Sequence, residues 1–543
     1  MSRTAAVLAA AWIAAAIPGA SRPLVAGEYH VALAGSDLAG DGTATNPWQT
    51  ITHALRTIPA PTPAETHTIH VGPGYWLPGG TETFPLDVPQ GVILRGAGID
   101  LTVLSEVLPN TRQPPAAQSA VVVRLQNGPA GPRIGVAPAE LTHLSIAFAR
   151  VGVEVIGDTA NVPEPLIHGV KFAQNHIGIQ VTNAAPKVEQ CLFDANTMGI
   201  SAGRITTTGG DMEFRRNFFW RNTYGISAAN TQGMLVEQNR FEQNHTGILM
   251  GAVGSITTSP VLRNNVYFRN GQGYSASAML GAMLTPQLVH ETFHGNGTGI
   301  SSMDDIYFGG RSDPDIRNCI IWGSLIHDLN GVSQNEIRHS NLSTAVGVPV
   351  GPIIGVNGIL AVDPGFVDAG GGDFHLSDRS PLIDKGTMDV RAMPAADLDG
   401  KPRTIGYPDL GAHEFASFLV HNRAACQPRE LRLVLTARQD ALRVYVLAAS
   451  LVSDPLGGIA IGNRRVPLLP DGMFFDTIGF NGRIPGFLGP MNGGGQAQVR
   501  IFVADWPWIR GWTVHLAYIT LDPTCPHGIK TVSNVVSVAV DTL

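Results

Sequence analysis

A short pattern that recurs six times is the feature that most restricts what this chain can form. It consists of an aromatic residue, an Asn three positions later, a Gly three positions after that and usually an Ile next. Successive Asn residues are separated by 21, 26, 22, 26 and 26 positions. This period suits one coil of a strand-rich solenoid and is too short for helix-pair repeats, which need roughly 33 to 47 residues. The Asn positions are Asn175, Asn196, Asn222, Asn244, Asn270 and Asn296.

The segments between the copies alternate as β-strands do. Residues 188–193, for example, place apolar side chains two positions apart, which is the period of a strand and not of a helix. Stacked coils place equivalent residues above one another, so we expect an internal aromatic stack and a hydrogen-bonded ladder of Asn side chains. We expect the Gly to supply a positive φ where the next strand begins. Leucine-rich repeats are the nearest alternative, but their leucine pattern is absent.

The predicted fold class is therefore all-β: a right-handed parallel β-helix formed as a single-stranded solenoid, followed by a small C-terminal β-sandwich. The sandwich is predicted because the repeat stops near residue 419 and two-residue alternation follows, as in residues 431–435 and 498–503. It could serve as a spacer or as a binding module. The predicted division is a signal peptide at 1–21, a cap with the first coils at 28–110, repeats at 111–325, the end of the β-helix at 326–416 and the sandwich at 417–543.

The first residues have the pattern of an export signal. Arg3 precedes an apolar run at residues 5–17, and small residues follow at 19–21. A buried N-terminal helix is the alternative. We therefore expect a bacterial protein that is secreted or held at the cell surface, in the periplasm or outside the cell. No later run of 18 apolar residues is present, so no transmembrane segment is expected.

The four cysteines are compatible with an oxidising compartment. Cys426 and Cys525 bracket the last region and are predicted to form a disulfide. Cys191 and Cys319 lie in apolar runs and are predicted to be buried thiols. The sequence has no CxxC pair and no Cys/His cluster at zinc spacing, which argues against structural zinc.

Composition excludes several classes of function. The net charge is −7 and no dense Lys/Arg run occurs, so nucleic acid is not an expected partner. Charged residues are 15% of the chain while Gly and Pro number 63 and 38, which argues against a helical bundle. A monomer is expected.

Two segments carry the motifs of known families. Residues 29–98 resemble an N-terminal module of unknown function that opens many secreted bacterial β-helix proteins. Residues 318–415 resemble the end of the choice-of-anchor Q family of pectate-lyase-like proteins, which implies an exported chain with the pectin-lyase-like fold. The family's usual anchoring signal is not evident after this block. The motifs are Gly35-Ser36-Asp37, Asp41-Gly42-Thr43, Asn46-Pro47-Trp48, 69–75, 82–86 and 91–96 in the first segment, and 318–323, 363–368, 373–376, 380–386, 397–403 and 409–415 in the second.

A polysaccharide lyase needs a cation, usually Ca²⁺ held by Asp residues, and a Lys or Arg base. The densest group of such residues follows the last repeat, and we take it as the candidate catalytic and Ca²⁺-assisted site. The alternative is a polar loop in which the Asp residues stabilise turns. Apart from one Asp-Asp pair, the motifs of polygalacturonase-like hydrolases and alginate epimerases are missing. The candidate residues are Asp304, Asp305, Arg311, Asp313, Asp315 and Arg317.

Two further acidic groups are candidate Ca²⁺ ligands, because they alternate carboxylates with Gly as calcium loops do. They are Asp37 with Asp41, and Asp397 with Asp399. Neither continues to the distal Glu of an EF-hand loop, and turn formation is the alternative. Calcium is thus the one candidate cofactor.

Sugar rings stack on flat aromatic side chains, so exposed aromatics are candidate substrate-binding residues. Trp220 and Tyr224 flank Asn222 and would point outward from their coil; packing in the core is the alternative. Three functions stay open: a non-catalytic surface or matrix protein that binds polysaccharide, a lyase or hydrolase acting on acidic polysaccharide, and a purely structural rod. The missing catalytic motifs favour the first.

Overall fold

Each copy of the repeat forms part of one coil of a right-handed parallel β-solenoid, in which three short strands follow one another. The coil that begins at Lys187 has the strands Lys187–Glu189, Leu192–Asp194 and Met198–Arg204. Each strand pairs in parallel with its equivalent in the next coil, as Phe193 does with Phe219. We call the three parallel sheets A, B and C, in the order in which a coil enters them. The predicted all-β solenoid is confirmed.

The structure is a computed structural model, and its described residues form two units. Unit 1 comprises residues 1–176 and 182–186, and unit 2 comprises residues 177–181 and 187–543. The described residues are 27–63, 65–79, 82–108, 120–127, 136–158, 162–204, 210–332, 336–343, 354–377, 380–401, 403, 407–415, 418–421, 430–437, 440–453, 459–461, 464–466, 468–478, 487–502, 513–523, 528–533 and 535–539.

Unit 1 has the three-sheet arrangement and a short helix, Ile51–Thr57. The side chain of Thr50 caps this helix by accepting a hydrogen bond from the N–H of His53. The sheet A strands are Gly27–Val31, His67–Val71, Val92–Gly96, Glu140–Thr142 and Leu166–His168; those of sheet B are Gly74–Trp76, Thr102–Ser105, Ser145–Ala147 and Lys171–Ala173; those of sheet C are Leu86–Val88, Val121–Leu125 and Val151–Ile156.

Unit 2 continues the same coil plan and adds a small fourth parallel sheet, sheet D, at the edge after sheet C. Sheet A has Lys187–Glu189, Met212–Arg215, Met234–Glu237, Val261–Arg263, Gln287–Val289, Asp315–Arg317 and Ile337–Arg338. Sheet B has Leu192–Asp194, Phe218–Trp220, Arg240–Glu242, Val266–Phe268, Thr292–His294, Ile320–Trp322 and Asn341–Leu342. Sheet C has Ile177–Thr182, Met198–Arg204, Tyr224–Thr231, Thr246–Val253, Gln272–Met279, Thr298–Asp304 and His327–Asn330, and sheet D has Thr257–Thr258, Met283–Leu284 and Arg311–Ser312.

The aromatic residues of the repeat form a continuous stack inside unit 2. Neighbouring rings from Phe193 to Phe293 are 4.2–5.0 Å apart between centroids and are nearly parallel. All are buried. Five rings thus fill the interior behind sheet B, each resting on the ring of the next coil.

The expectation for the repeat Gly is wrong, because these residues lie inside sheet C strands and do not have a positive φ. A Cβ added to Gly225 would lie 2.5 Å from the carbonyl oxygen of Gly247 and 2.8 Å from the ring of Phe241. Gly is therefore required by the close approach of stacked coils. The positive φ belongs instead to the residue before each Asn, as in Arg221 and Gln243.

The Asn side chains of the repeat form a ladder between sheets B and C. The Oδ1 of Asn244 accepts hydrogen bonds from the backbone N and the Nδ2 of Asn222, at 2.9 and 3.0 Å. Its Nδ2 donates to the carbonyl of Phe219 and to Oδ1 of Asn270. The ladder runs in this way from Asn196 to Asn296, while in unit 1 Asn175 bonds the backbone of Ile146 and Ala149. Buried turn amides are thereby paired in successive coils.

A second ladder, which the sequence analysis missed, follows the turn between sheets A and B. The backbone N–H groups of Asn217 and Asn239 donate to the side chains of Asn239 and Asn265 at 2.8–2.9 Å. Asn265 in turn donates to Oε1 of Glu291, which takes the next position. Burial is the main cause that raises the pKa of Glu291 to about 8.

The described residues between 363 and 415, which we call the cover segment, pack on the outside of the unit 2 coils. They contain an antiparallel hairpin of Phe366–Asp368 with Asp373–Leu376. Phe374 and Ala412 pack on Val266 and Phe268 of sheet B. Three leucines farther along pack on Ile320 of the same sheet; they are Leu376, Leu382 and Leu410.

The last part of the chain forms antiparallel sheets, as the alternation after residue 419 predicts. Side chains from both larger sheets, including Leu433, Leu447 and Tyr518, share one buried core, which is the packing of a sandwich. One sheet has Phe418–His421, Glu430–Thr436 and Gln496–Phe502; the other has Leu488–Pro490, Val444–Ser450, Thr513–Leu521, Ile529–Val532 and Val536–Ala539; a hairpin of Ile459–Ile461 with Arg464–Val466 and a helix, Gly472–Ile478, complete this part.

Replacing one ladder residue should destabilise the solenoid. In Asn244→Ala, the Asn222 amide groups lose their acceptor and the Phe219 carbonyl loses a donor. We expect the free energy of unfolding to fall by about 3 kcal/mol, measured by urea denaturation. Thr223→Ala, which changes an exposed side chain of the neighbouring turn, is the control and should alter it by less than about 0.5 kcal/mol. Equal effects of the two substitutions would contradict a stabilising role for the ladder.

The Glu291 carboxyl should make stability depend on pH. Its pKa is higher in the folded chain, about 8, than the ordinary value of 4.5. Between these values the folded state binds more protons than the unfolded state, so the free energy of unfolding falls as the pH rises. Glu291→Gln should reduce this slope between pH 5.5 and 8, by at most about 1.4 kcal/mol per pH unit. Urea unfolding at several pH values measures it. Thr223→Ala, which changes no titratable group, should leave the slope unchanged.

Candidate functional site

The outer face of sheet B in unit 2 is apolar in several coils, and the cover segment occupies only part of it. Val266, Phe268 and Ile320 are buried beneath this segment. Arg240 lies at the edge of the contact between sheet B and the cover segment. Its Nη1 donates to the carbonyl of Gly372 at 3.0 Å, and its Nε donates to Glu242 at 2.9 Å. The guanidinium of Arg240 also lies 5.7 Å from the centre of the Phe268 ring.

The coil before the one that contains Arg240 has two partly exposed aromatic side chains on sheet B. Trp220 and Phe218, two positions apart on one sheet B strand, have stacked rings with centroids 6.5 Å apart. The guanidinium of Arg221 lies 3.6 Å from the centre of the Trp220 ring and donates to Oδ1 of Asp194 at 2.7 Å. We call Phe218, Trp220, Arg221 and Tyr224 the aromatic platform.

Acidic residues border the platform on both sides. Trp220 is directly opposite Asp194 of the preceding coil and Glu242 of the following coil in sheet B. Tyr224, four positions on at the start of a sheet C strand, contacts the ring of His245 edge-on at 6.4 Å. The outward direction of Trp220 and Tyr224 contrasts with Asn222 between them, which is buried. Flat rings beside carboxylates and a guanidinium can stack on a sugar and bond its hydroxyl groups.

The candidate catalytic residues fall into two places. Asp304, Asp305, Arg311 and Asp313 lie around one loop that joins sheets C and D. Asp315 and Arg317 lie together on the following sheet A strand, where Nε of Arg317 donates to Oδ1 of Asp315 at 2.6 Å. The loop residues and the sheet A pair therefore lie on different elements of the coil.

Within the loop, each of the first two carboxylates accepts backbone hydrogen bonds. Oδ1 of Asp304 accepts from the N–H of Ser312 at 2.7 Å. Asp305 accepts from the N–H groups of Tyr307 and Phe308 with Oδ1, and from Leu280 with Oδ2, at 3.0–3.2 Å. The bond from Leu280 is the main cause that lowers the pKa of Asp305. These contacts are those of a carboxylate that stabilises turns. The remaining pair, Arg311 and Asp313, bond each other at 3.1 Å.

Two of the candidate calcium ligands stabilise turns in unit 1. Oδ1 of Asp37 accepts from the N–H groups of Gln49 and Thr50 at 2.8–2.9 Å. Asp41 accepts from the N–H and hydroxyl of Thr43, and the first of these bonds is the main cause that lowers the pKa of Asp41. These hydrogen bonds are those of carboxylates that stabilise turns.

The other candidate pair has two separate environments. Asp397 is fully buried, and its carboxylate accepts from the N–H groups of Asp399, Lys401 and Glu414 at 2.7–2.9 Å. Asp399 instead faces outward, and its Oδ2 lies 2.6 Å from Nε2 of His375 and 3.3 Å from Nδ1 of His413.

The two histidines of this cluster have opposite pKa shifts. Burial lowers the pKa of His375, but its hydrogen bonds with Asp373 and Asp399 outweigh burial and raise it above the ordinary value. Burial lowers the pKa of His413, and its contact with Asp399 offsets this only in part. The hydrogen bond with His413 is the main cause that lowers the pKa of Asp399. Sequence reasoning did not connect these residues, because they are 24 and 14 positions apart and have no recognisable spacing.

A buried charged group beneath the cluster holds the cover segment together. Arg403 is fully buried and donates to Oε2 of Glu414 at 2.7 Å, to Oδ1 of Asn264 at 2.8 Å and to the carbonyl of Gly411. Burial raises the pKa of nearby Asp409 to about 7. Many of the motif residues within 397–415 therefore have a structural role inside the cover segment.

The predicted disulfide of Cys426 and Cys525 and the predicted signal peptide lie outside the described residues. Cys191 and Cys319 are buried. In the part of the chain that the structure describes, no helix has both the length and the apolar character needed to cross a membrane.

A family model supports the fold, and the similar solved structures are distant in sequence. The family model described as "Right handed beta helix region" matches residues 151–305. No curated protein matches the chain. The chain is similar to the crystal structure of GH136 lacto-N-biosidase from Eubacterium ramulus, with 13% identity over 62% of this chain and 67% of that one and a TM-score of 0.35. It is also similar to the A-module of the mannuronan C-5 epimerase AlgE4 from Azotobacter vinelandii, with 14% identity over 55% and 91% and a TM-score of 0.30.

The role of Asp305 can be tested by proteolysis. Tyr307 and Phe308, which follow it, are 85% and 68% exposed. Asp305→Ala removes the acceptor of three backbone N–H groups, so the loop should open more often. We expect chymotrypsin to cleave beside Tyr307 or Phe308 at least about fivefold faster, followed by mass spectrometry of the fragments. Asp313→Ala should change the rate little, and equal rates in parent and Asp305→Ala would contradict this role.

Proposed function

We propose that the protein is exported from a bacterial cell, to the periplasm or beyond, and there binds a polysaccharide without catalysing a reaction on it. The observation that carries this proposal is the aromatic platform, a set of partly exposed rings on sheet B and at the start of the following sheet C strand. The platform lies in the coil before the one whose Arg240 contacts the cover segment. The export signal predicted at residues 1–21 and the resemblance to the choice-of-anchor Q family support the location.

The charges around the platform favour a neutral polysaccharide. Arg221 is paired with Asp194, and Arg240 is paired with Glu242, at 2.7 and 2.9 Å. These pairs leave the face without a local excess of either charge, while their oxygen and nitrogen atoms stay available to sugar hydroxyl groups. Trp220 offers one flat face to Arg221 and has an exposed remainder on which a sugar ring can stack.

The alternative is a lyase or hydrolase acting on acidic polysaccharide at Asp304–Asp315. It has less support from the geometry, because Asp304 and Asp305 accept backbone hydrogen bonds and Arg311 is paired with Asp313. The experiment below distinguishes the two functions.

Binding should depend on Trp220. Affinity electrophoresis of the purified protein in gels that contain neutral or acidic polysaccharides should show retardation by a neutral polymer. We expect Trp220→Ala to weaken binding about tenfold, which corresponds to the loss of one stacked ring. Tyr307→Ala removes another exposed aromatic residue, away from the platform, and should bind as the parent does. Equal binding by parent and Trp220→Ala would refute the platform.

The same polymers test for catalysis. Incubation with and without Ca²⁺, followed by absorbance of unsaturated products and by reducing ends, should give no product. Turnover that disappears in Asp304→Ala would overturn the non-catalytic proposal and support the alternative.

A further inference from the structure

We propose that His375, Asp399 and His413 bind one divalent transition-metal ion, with the chemistry of Zn²⁺, on the surface of the cover segment. Each residue comes from a separate stretch of chain, and one potential ligand atom from each lies within 4.8 Å of the other two. The proposal does not depend on polysaccharide binding, because none of the three residues belongs to the aromatic platform.

Local structure fixes each of the three side chains. His375 lies on the strand Asp373–Leu376. Asp399 is at the tip of a turn that the buried carboxylate of Asp397 closes, through bonds from the N–H groups of Asp399 and Lys401. His413 follows Ala412, which packs on sheet B and donates its N–H to Thr292 at 2.8 Å.

The distances between the ligand atoms suit one small cation. Oδ2 of Asp399 is 2.6 Å from Nε2 of His375 and 3.3 Å from Nδ1 of His413. With metal–ligand distances of about 2.1 Å, the ligand atoms of a tetrahedral zinc site are separated by roughly 3.4 Å. The second distance already has this value, and the first needs to lengthen by less than about 1 Å, which a side-chain rotation provides.

The donor atoms favour zinc over calcium. Ca²⁺ takes six to eight oxygen ligands, whereas two imidazole nitrogens and one carboxylate are a common zinc set. Nδ1 of His375 is 2.6 Å from Oδ1 of Asp373. A proton on Nδ1, donated to Asp373, leaves Nε2 as the metal-binding nitrogen, as in the carboxylate–histidine pairs of many zinc sites.

Lys401 competes with a metal ion for Asp399. Its Nζ lies 3.3 Å from Oδ2 of Asp399 and also 3.3 Å from the carbonyl of Glu414. The ammonium group neutralises Asp399 in the metal-free protein and keeps its second partner when a cation replaces it. The side chains of His375 and Asp399 are 39% and 36% exposed, so water can take a fourth position on the metal.

The test is metal titration of the chelator-treated, purified protein. Isothermal titration calorimetry with Zn²⁺ should show one site per chain, and Co²⁺ should give the visible absorption bands of a four-coordinate ion. We expect Asp399→Asn and His413→Ala each to weaken Zn²⁺ binding at least tenfold and to abolish the Co²⁺ bands. Lys401→Ala should tighten binding, since the competing ammonium is removed. His327→Ala, a histidine of sheet C outside the cluster, should bind as the parent does.

Thermal unfolding shows whether each variant is folded. Zn²⁺ should raise the melting temperature of the parent and of His327→Ala, and Ca²⁺ at the same concentration should not. Zn²⁺ binding that is equal in the parent, Asp399→Asn and His413→Ala would mean adventitious binding elsewhere and would overturn the proposal. So would the absence of any binding by the parent, or a Ca²⁺ effect equal to that of Zn²⁺. Polysaccharide retardation is a separate readout, so either proposal can fail alone.

Discussion

The pairing of buried turn amides is the interaction on which the rest of this structure depends. A coil turns sharply twice, between sheets A and B and between sheets B and C, and each turn leaves a backbone N–H facing the interior. Asn239 and Asn244 both pair this group: the side-chain oxygen of each accepts a hydrogen bond from the backbone N–H of the equivalent residue in the preceding coil. Each buried amide left unpaired would cost about 1–3 kcal/mol, so the two ladders fix the register of sheet B and bring Trp220 to a defined place on its outer face.

The sequence predicted the coils well because the repeat is local and periodic. Phe, Asn and Gly occur at constant offsets, and one coil predicts the next. The second ladder was missed because its residues vary: the position of Asn217 and Asn239 is occupied by Cys191 in one coil and by Glu291 in another. The role of the Gly was misjudged for a different reason. A Cβ at position 225 would overlap the backbone of the following coil. That overlap is visible only when both coils are in place.

The candidate sites also differ in how much of them could be predicted from the sequence. The sequence left two orientations open for Trp220, outward from the coil or packed in the core, because its position beside Asn222 is compatible with both. Whether the outer face of sheet B is open depends on the cover segment, whose Phe374 is more than 100 positions from the Phe268 that it covers. The cluster of His375, Asp399 and His413 also depends on tertiary structure, and a search for metal-binding spacing therefore could not detect it. Acidic pairs close in sequence, such as Asp37 and Asp41, are compatible with both a calcium loop and a turn, so the sequence alone left both uses open.

Sheet D changes the cross-section of the solenoid. The coil from Asn222 to Asn244 has three strands, whereas the next coils insert a fourth short strand and become four-sided. A four-sided coil has a longer perimeter and encloses more volume, which side chains must fill. In the middle one of these coils a larger side chain takes the position of the repeat Ile: Tyr274 is fully buried there, and its hydroxyl reaches Sδ of Met250 at 3.5 Å. The neighbouring four-sided coils keep Ile248 and Ile300 at this position, so the longer perimeter accommodates the larger ring without requiring it.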